Sequence, residues 1–527
     1  MCGLLFVQAK ENQNLDNNQL LETLKLMSHR GPNHMGSLHA DNTTFLGHTR
    51  LSILDTDKRS NQPFFSRCGR YCIIYNGEIY NYMELKRRYR IKTKTSSDTE
   101  VLLELYIKLG PKVLYELNGM FAFVIYDIEN REIFAARDRL GIKPLYYYQH
   151  DDTLIFSSEI SSVCNLLKTQ SIDQIGLRQY LKLRTFFNNR TLYNDIKMFP
   201  AGSFFSKGRV YKYWDYLDCE SHTTDACDEE VQHLIESSVN YRCIADVPLG
   251  SFLSGGVDSS IIASLSNKPD TWTVGFKDNN EFKWAKIIAD KLESKHTEVT
   301  LAEEEFLELT SKMIRLRQEP LSVPNEVLLY KMSAIAKAKN TVILSGEGAD
   351  ELFYGYDRIF RWAHANTWNI KMFDELYSYG SHRDDEVLYD VLQPYSLLSN
   401  SLEKVSAFFQ VSHLHGLLRR LDNSSMLGSI EARVPFVDHR LVEYMKGRNF
   451  EYRIQHNNVK APLKRIFSHF LTPEIINRPK IGFAVPLQKI FNSNKNPMDN
   501  WLDFNMSTLL GDDWPMLKRE IFAGIES

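Results

Sequence analysis

Short apolar runs dominate the first 165 residues. LLFVQ, TFLGHTRLSIL, YCIIYNG, FAFVIYD, REIFAARD and LYYYQ alternate or cluster apolar side chains over strand lengths, with turn residues between them. TEVLLELYIKLG breaks this rhythm. Its Val101, Leu102, Leu105 and Leu109 share one helical face, and Asp98 stands at the start, placed either to cap the helix or to hold a ligand. Residues 15–30 repeat the helical spacing. Many strands with few helices predict sheets flanked by helices.

The pattern changes between about 190 and 230. TLYNDIKMFPAGSFFSKGRVYKYWDY ends the strand-rich part, and the polar stretch CESHTTDACDEE opens a helix-rich one. PLGSFLSGGVDSSIIAS then reads as strand, glycine turn and helix, and NTVILSGEGADELF repeats that order; TWTVGF is a further strand. Such alternation predicts an α/β unit with a mainly parallel sheet and its site at the carboxyl ends of the strands. Residues 360–475 read as mostly helical, and NSNKNPMDNWLDFNMSTLLG as polar loop. The expected division is two domains, 1–205 and 206–527, with a boundary good only to the span 205–225.

Composition narrows the classes. The chain is 43% hydrophobic and 24% charged with a net charge of -3, enough apolar content for real cores and no sign of a broad nucleic-acid surface. The longest apolar runs fall far short of the roughly 20 residues that cross a bilayer. No basic stretch precedes an apolar one at the amino terminus, so a cytoplasmic protein without membrane or nucleic-acid partners is expected. Seven scattered cysteines argue against a disulfide framework, and Cys219 and Cys227 lack the second pair of a zinc site.

Cys2 stands apart. Removal of Met1 would give it a free α-amine with a pKa of about 7.7–8.0, able to act as base for its own thiol. No separate histidine base is then required, and His29, His34 and His48 are read as packing or polar contacts.

SGGVDSS at 254–260 is the most specific short motif. Small residues let backbone N–H groups approach an anion at a helix start, although a plain glycine turn that caps a helix has the same composition. The loop lacks the GxxxxGK[ST] of a Walker A site, and Asp258 within it suits Mg²⁺ held against phosphates.

SGGVDSS resembles the pyrophosphate loop of ATP pyrophosphatases. LSGEGADELFYGYDR at 344–358, SSMLGSIEARVPFVDHRLVE at 424–443, Lys460 and RPKIGFAVP at 478–486 resemble one branch of that group, the glutamine-dependent asparagine synthetases. Cys2, RGPN at 30–33, GHTRLSILD at 47–55, YNGEIYNY at 75–82 and SSDTE at 96–100 resemble the glutaminase domain of class II amidotransferases. Together the similarity spans nearly the whole chain. It implies an αββα layered, Ntn-hydrolase-type glutaminase domain followed by an α/β ATP-pyrophosphatase domain with a mainly parallel sheet and additional helices.

The resemblance also implies roles. Cys2 attacks the glutamine amide, and Asn76 and Gly77 form the oxyanion hole. Arg50, Leu51, Ile53, Glu78 and Asp98 bind L-glutamine, with Arg50 on its carboxylate and Asp98, helped by Glu78, on its ammonium. Ser254, Gly255, Gly256, Asp258, Ser259 and Ser260 cradle the phosphates of ATP, while Leu253, Val274, Ser345 and Gly346 line the nucleotide pocket. Glu347 acts near the acyl-adenylate, Asp350 holds substrate or Mg²⁺ together with Asp258, and Lys460 stabilises charge on the α-phosphate. The implied reaction makes an amide, AMP and diphosphate from a carboxylate, glutamine and ATP, in an enzyme of a kind that often forms homodimers. Its acceptor is L-aspartate by default; the alternative is another carboxylate, such as a sugar uronic acid in surface-polysaccharide synthesis. Arg433, Glu431 and Asp438 are expected to be architectural.

Two positions depart from the family pattern. Asn33 stands where RGP usually continues with Asp, and Gln318 replaces an acid in QEPLSVPNEV. A role for Asn33 as a turn cap would tolerate the exchange, because either side chain accepts a backbone bond.

Overall fold

The computed structural model describes residues 2–10, 15–168, 171–266, 270–456, 458–478 and 485–526. Two six-stranded antiparallel sheets form the amino-terminal half. One runs in the order Lys197–Met198, Tyr146–His150, Thr153–Ser157, Gly3–Gln8, Thr44–Arg50 and His34–Asp41. The other runs Arg209–Lys212, Ser203–Ser206, Glu132–Arg137, Gly119–Asp127, Tyr71–Ile79 and Phe64–Phe65.

The layering explains why the strands are unbroken apolar runs. Leu4 and Phe6 pack with Ile74, Ala122 and Val124 of the facing sheet, whereas Leu5 and Val7 pack with Leu20 and Leu24 of the helix Asn17–Leu26. Across the second sheet, Ile73, Phe121 and Phe123 pack with Val101, Leu102 and Leu105 of the helix Asp98–Leu109. A strand covered on both faces has no solvent side to mark with polar residues. The result is the αββα arrangement that the resemblance implies. The helix at 98 is capped by Ser97, which accepts Thr99 N–H at 3.2 Å, and this leaves the Asp98 carboxyl for other contacts.

The hairpin Ser203–Ser206 and Arg209–Lys212 completes the second sheet, and the next long helix is Asp228–Arg242. Beyond it lies a five-stranded sheet, parallel throughout, in the order Lys295–Thr300, Asp270–Gly275, Leu249–Phe252, Val342–Leu344 and Glu431–Arg433. Helices cover it.

The expected polar loop at 492–511 contains a helix instead, Pro497–Leu510. Asn496 accepts Met498 N–H at 2.8 Å, Pro497 opens the first turn, and Trp501, Leu502, Asn505 and Met506 bury one face. Leu502 and Met506 lie four apart, and the polar Asp503 and Asn505 between them hide that period.

Candidate active sites

The first site forms where the two antiparallel sheets meet. Cys2 precedes the strand Gly3–Gln8 and donates its backbone N–H to Asn76 Oδ1 at 3.0 Å, while its carbonyl accepts from Arg30 Nε at 3.1 Å. Asn76 is wholly buried, and its Nδ2 makes no hydrogen bond among the described residues. A buried amide donor without an acceptor is costly, and such a donor fits an oxyanion site. At Gly77 a Cβ would lie 2.2 Å from Met120 O and 2.7 Å from Phe121 Cα on the paired strand, so the backbone comes this close only with glycine.

Around this pair the polar groups are buried and tied down. Burial pushes the Cys2 thiol up, against a hydrogen bond from the Leu51 backbone and the charge of Arg50. The terminal nitrogens of Arg50 donate to the carbonyls of Asp57 at 2.9 Å and Asp55 at 2.5 Å and to Asn61 Oδ1 at 2.8 Å. Nε is thus the guanidinium nitrogen of Arg50 that makes no hydrogen bond among the described residues. Asp98 Oδ2 accepts from Tyr75 Oη at 2.8 Å and Ile79 N–H at 2.9 Å, and burial pushes its carboxyl up. Glu78 is driven up by burial and by the neighbouring acids Asp98 and Glu431, with Arg433 Nη2 3.5 Å from its Oε1. Ile53 is buried in the core. His48 Nε2 donates to the Tyr75 carbonyl at 3.0 Å, and burial lowers its pKa to about 3, which keeps the ring neutral. Asn33 Oδ1 accepts Ser52 N–H at 3.0 Å, the backbone role that Asp and Asn share. Met1 lies outside the described residues.

The second site lies at the carboxyl ends of the parallel strands, in a cavity of about 300 Å³. Leu253, Ser254, Gly256, Asp258, Ser259, Ser345, Gly346, Glu347, Asp350 and Lys460 all line it. Gly255 bends the loop at φ +68°, against the Trp284 backbone, where a Cβ would lie 2.3 Å from the Trp284 carbonyl carbon. Neither it nor Ser260 nor Val274 lines the cavity. Ser260 Oγ is buried without a hydrogen bond among the described residues, and Val274 sits in the core, with Trp272 and Thr273 on the cavity wall instead.

Lys460 Nζ lies 2.5 Å from Asp258 Oδ2 and 2.7 Å from Asp350 Oδ1. Burial opposes its charge, but the two carboxylates prevail and hold the ammonium above its ordinary range. Two carboxylates that converge on one cation are also the oxygen donor set that suits Mg²⁺ alongside nucleotide phosphates. Asp258 and Asp350 thus fit the metal. Glu347 is clamped separately, its Oε2 2.6 Å from Arg420 Nη2.

Arg420 and Arg478 join this site without a role assigned from the sequence. Arg420 lies mid-helix in Leu414–Leu427. Arg478, from the RPKIGFAVP stretch, donates to the carbonyls of Ser254 at 3.1 Å and Gly255 at 3.0 Å and pairs with Glu281; residues 479–484 of that stretch lie outside the described residues. Arg433 bonds Glu431 at 2.6 Å and the carbonyls of Arg242 and Ile244, and Asp438 caps the helix His439–Met445. Both are architectural, as expected, and Arg433 also reaches Glu78.

Buried charges join the halves. Arg30 Nη2 is 2.8 Å from Asp422, which also lies 3.3 Å from Lys143 Nζ, and Arg30 Nη1 is 3.3 Å from Glu159. Burial pushes Glu159 up, but His29 and Arg30 outweigh it and leave the carboxyl at about 2. A folded pKa below the unfolded value of about 4.5 stabilises the protein above pH 4.5, and that stabilisation fades as pH falls towards 2. Glu159→Gln should therefore cost about 3 kcal/mol at pH 7 and little at pH 2.5, measured as the difference in urea unfolding between variant and wild type. An equal cost at both pH values would contradict this account.

Comparison with known proteins matches both halves. The glutamine amidotransferase domain family matches residues 1–214 and the asparagine synthase family residues 230–523. Asparagine synthetase (glutamine-hydrolyzing) 1 of Bacillus subtilis strain 168 is 31% identical, over 95% of this chain and 89% of its own length. Asparagine synthetase B (glutamine-hydrolyzing) of Escherichia coli K12 is 29% identical, over 88% of this chain and 78% of its own. Among the described residues no helix is long and apolar enough to cross a membrane. With a buried cysteine–asparagine pair in one half and a phosphate-type loop beside a doubly paired lysine in the other, the chain belongs to the glutamine-hydrolysing asparagine synthetase family.

Proposed function

We propose that this enzyme forms L-asparagine from L-aspartate, with ATP as the activating nucleotide and glutamine as the nitrogen donor. The observation that carries the reading is the pairing of two complete sites in one chain, Cys2 with Asn76 and Lys460 with Asp258 and Asp350. The relatives named as asparagine synthetases supply the acceptor.

In the first site, Cys2 Sγ attacks the glutamine side-chain amide once Met1 has been removed and the new α-amine takes the thiol proton. Asn76 Nδ2 and the Gly77 N–H receive the oxyanion. Arg50 faces the substrate carboxylate through its charge and Nε–H, and Asp98 and Glu78 meet the ammonium, a cation that would draw both raised carboxyls back to their ionised forms. Leu51 and Ile53 shape the pocket.

In the second site, the loop from Ser254 to Ser260 holds the phosphates and Lys460 stabilises charge on the α-phosphate as the acceptor carboxylate displaces diphosphate. Mg²⁺, held by Asp258 and Asp350, would neutralise phosphate charge. Glu347, fixed by Arg420, stands where a proton leaves the attacking ammonia. Free ammonia is mostly ammonium at neutral pH, so the reading includes an enclosed route between the sites, and a homodimer remains its expected assembly.

Incubation with ATP, amide-¹⁵N-glutamine and a panel of carboxylates tests the proposal. Diphosphate release that depends on aspartate, with ¹⁵N in asparagine, is expected. Diphosphate release with a uronic acid and none with aspartate would replace the acceptor.

A further inference from the structure

A second cavity of about 480 Å³ adjoins the nucleotide cavity, and Asn325 and Arg420 line both. Its wall carries Arg184, Tyr356, Tyr377 and His413 besides these two, and no aspartate or glutamate among the described residues. We propose that Arg184 binds the carboxylate of the acceptor that is not adenylated. The proposal rests on the reading of the acceptor as aspartate, whose two carboxylates must be told apart.

Arg184 follows the helix Gln174–Leu183 as its carboxyl cap, in a left-handed conformation at φ +65° that a residue with a side chain rarely adopts. Its guanidinium stacks 4.2 Å over the Tyr379 ring. Nε is buried without a hydrogen bond, and the guanidinium has no carboxylate partner among the described residues. Arg30 pairs with Asp422 and Glu159, Arg242 with Asp438 and Arg317 with Glu319 and Glu326, and the buried Arg137 and Arg453 donate to backbone carbonyls; the half-buried Arg184 guanidinium has neither kind of partner among the described residues. A guanidinium half withdrawn from water, with its Nε buried and no hydrogen-bond acceptor, is costly, and a bound carboxylate would offset that cost with a planar, two-oxygen fit.

The neighbouring arginine has a different task. Arg420 Nη2 is committed to Glu347 on the nucleotide side, and Nη1 lies 3.4 Å from Asn325 Oδ1. Arg420 thus marks the border between the cavities. A short dicarboxylate that reaches across this border presents one end to Lys460 and the α-phosphate and the other to Arg184. Tyr356 and Tyr377, whose hydroxyls bond Glu351 and His413 at 2.6 and 2.8 Å, give the rest of the wall fixed polar groups. Arg184 comes from the amino-terminal half, so the acceptor site would be completed across the two halves of the chain.

The test is a comparison of KM values with ammonia as nitrogen source, so that glutamine chemistry does not enter. Arg184→Met should raise the KM for aspartate on the order of 10–100-fold, the worth of a charge-assisted hydrogen-bonded contact, with kcat within threefold and the KM for ATP within twofold. Arg184→Lys, which keeps the charge without the fork, should show a smaller rise and decides the matter if the methionine variant does not fold. An aspartate KM within twofold of wild type in a folded Arg184→Met, or KM values for aspartate and ATP that rise together, would overturn the assignment. Wild-type enzyme without aspartate-dependent diphosphate release would instead overturn the acceptor itself.

Discussion

Cys2→Ala is expected to lower glutamine-dependent synthesis by at least about 10³-fold while synthesis from ammonium salts stays close to wild type. The variant deletes one sulfur from a buried position. The backbone bonds that hold residue 2, to Asn76 Oδ1 and from Arg30 Nε, do not involve the side chain and persist. What disappears is the nucleophile, for which the site has no substitute, since His48 is neutral and faces the Tyr75 carbonyl. Amide synthesis measured with each nitrogen source checks this. Equal loss with both sources in a folded protein would mean that the halves do not divide the chemistry. A companion measurement is intact mass: burial keeps the thiol protonated, so molecules that retain Met1 and lack the free α-amine should not hydrolyse glutamine.

Lys460→Met should have the complementary effect, a loss of about 10²–10³-fold in diphosphate release with either nitrogen source while glutamine hydrolysis persists. Lys460 is the cation that this chain places between Asp258 and Asp350, and without it the α-phosphate loses the protein charge that stabilises it. Breaking a buried ion pair costs about 3–5 kcal/mol, so retained glutaminase activity also serves as the check on folding. Lys460→Arg should not restore activity. The residue has left-handed backbone geometry at φ +55°, and a compact ammonium fits between two oxygens where a planar fork would have to reorient both acids. Diphosphate release within threefold of wild type would remove Lys460 from the chemistry.

Much of this architecture is legible in the residues. The runs around Phe6, Ile74 and Val124 are too short and too evenly apolar for surface helices, and SGGVDSS declares its loop by its small residues. The strand His34–Asp41 is not legible, because HMGSLHAD lies at a sheet edge and owes its form to pairing with Thr44–Arg50. The closing helices were hidden by asparagine and aspartate, which favour loops until Trp501 and Met506 find a core. At the sites, glycine and cysteine positions can be read from local motifs. Arg184, Arg420 and Glu159 cannot, because a charged side chain gains its meaning only from partners or cavities distant in the chain: Glu347 lies 73 positions from Arg420, and Arg30 lies 129 positions from Glu159.

The ion cluster at the junction bears on how such a chain can evolve. Asp422, on the carboxyl half, is the shared counter-charge of Arg30 and Lys143 on the amino half, and Arg30 also positions Cys2. A recombination that joined this amino half to a foreign synthetase half without an acid at that place would leave Lys143 buried without its acid and Arg30 with Glu159 alone. The halves are therefore not free cassettes. They can be exchanged between lineages only where the three residues travel together, and a gene split at the linker would be expected to keep its two products as obligate partners.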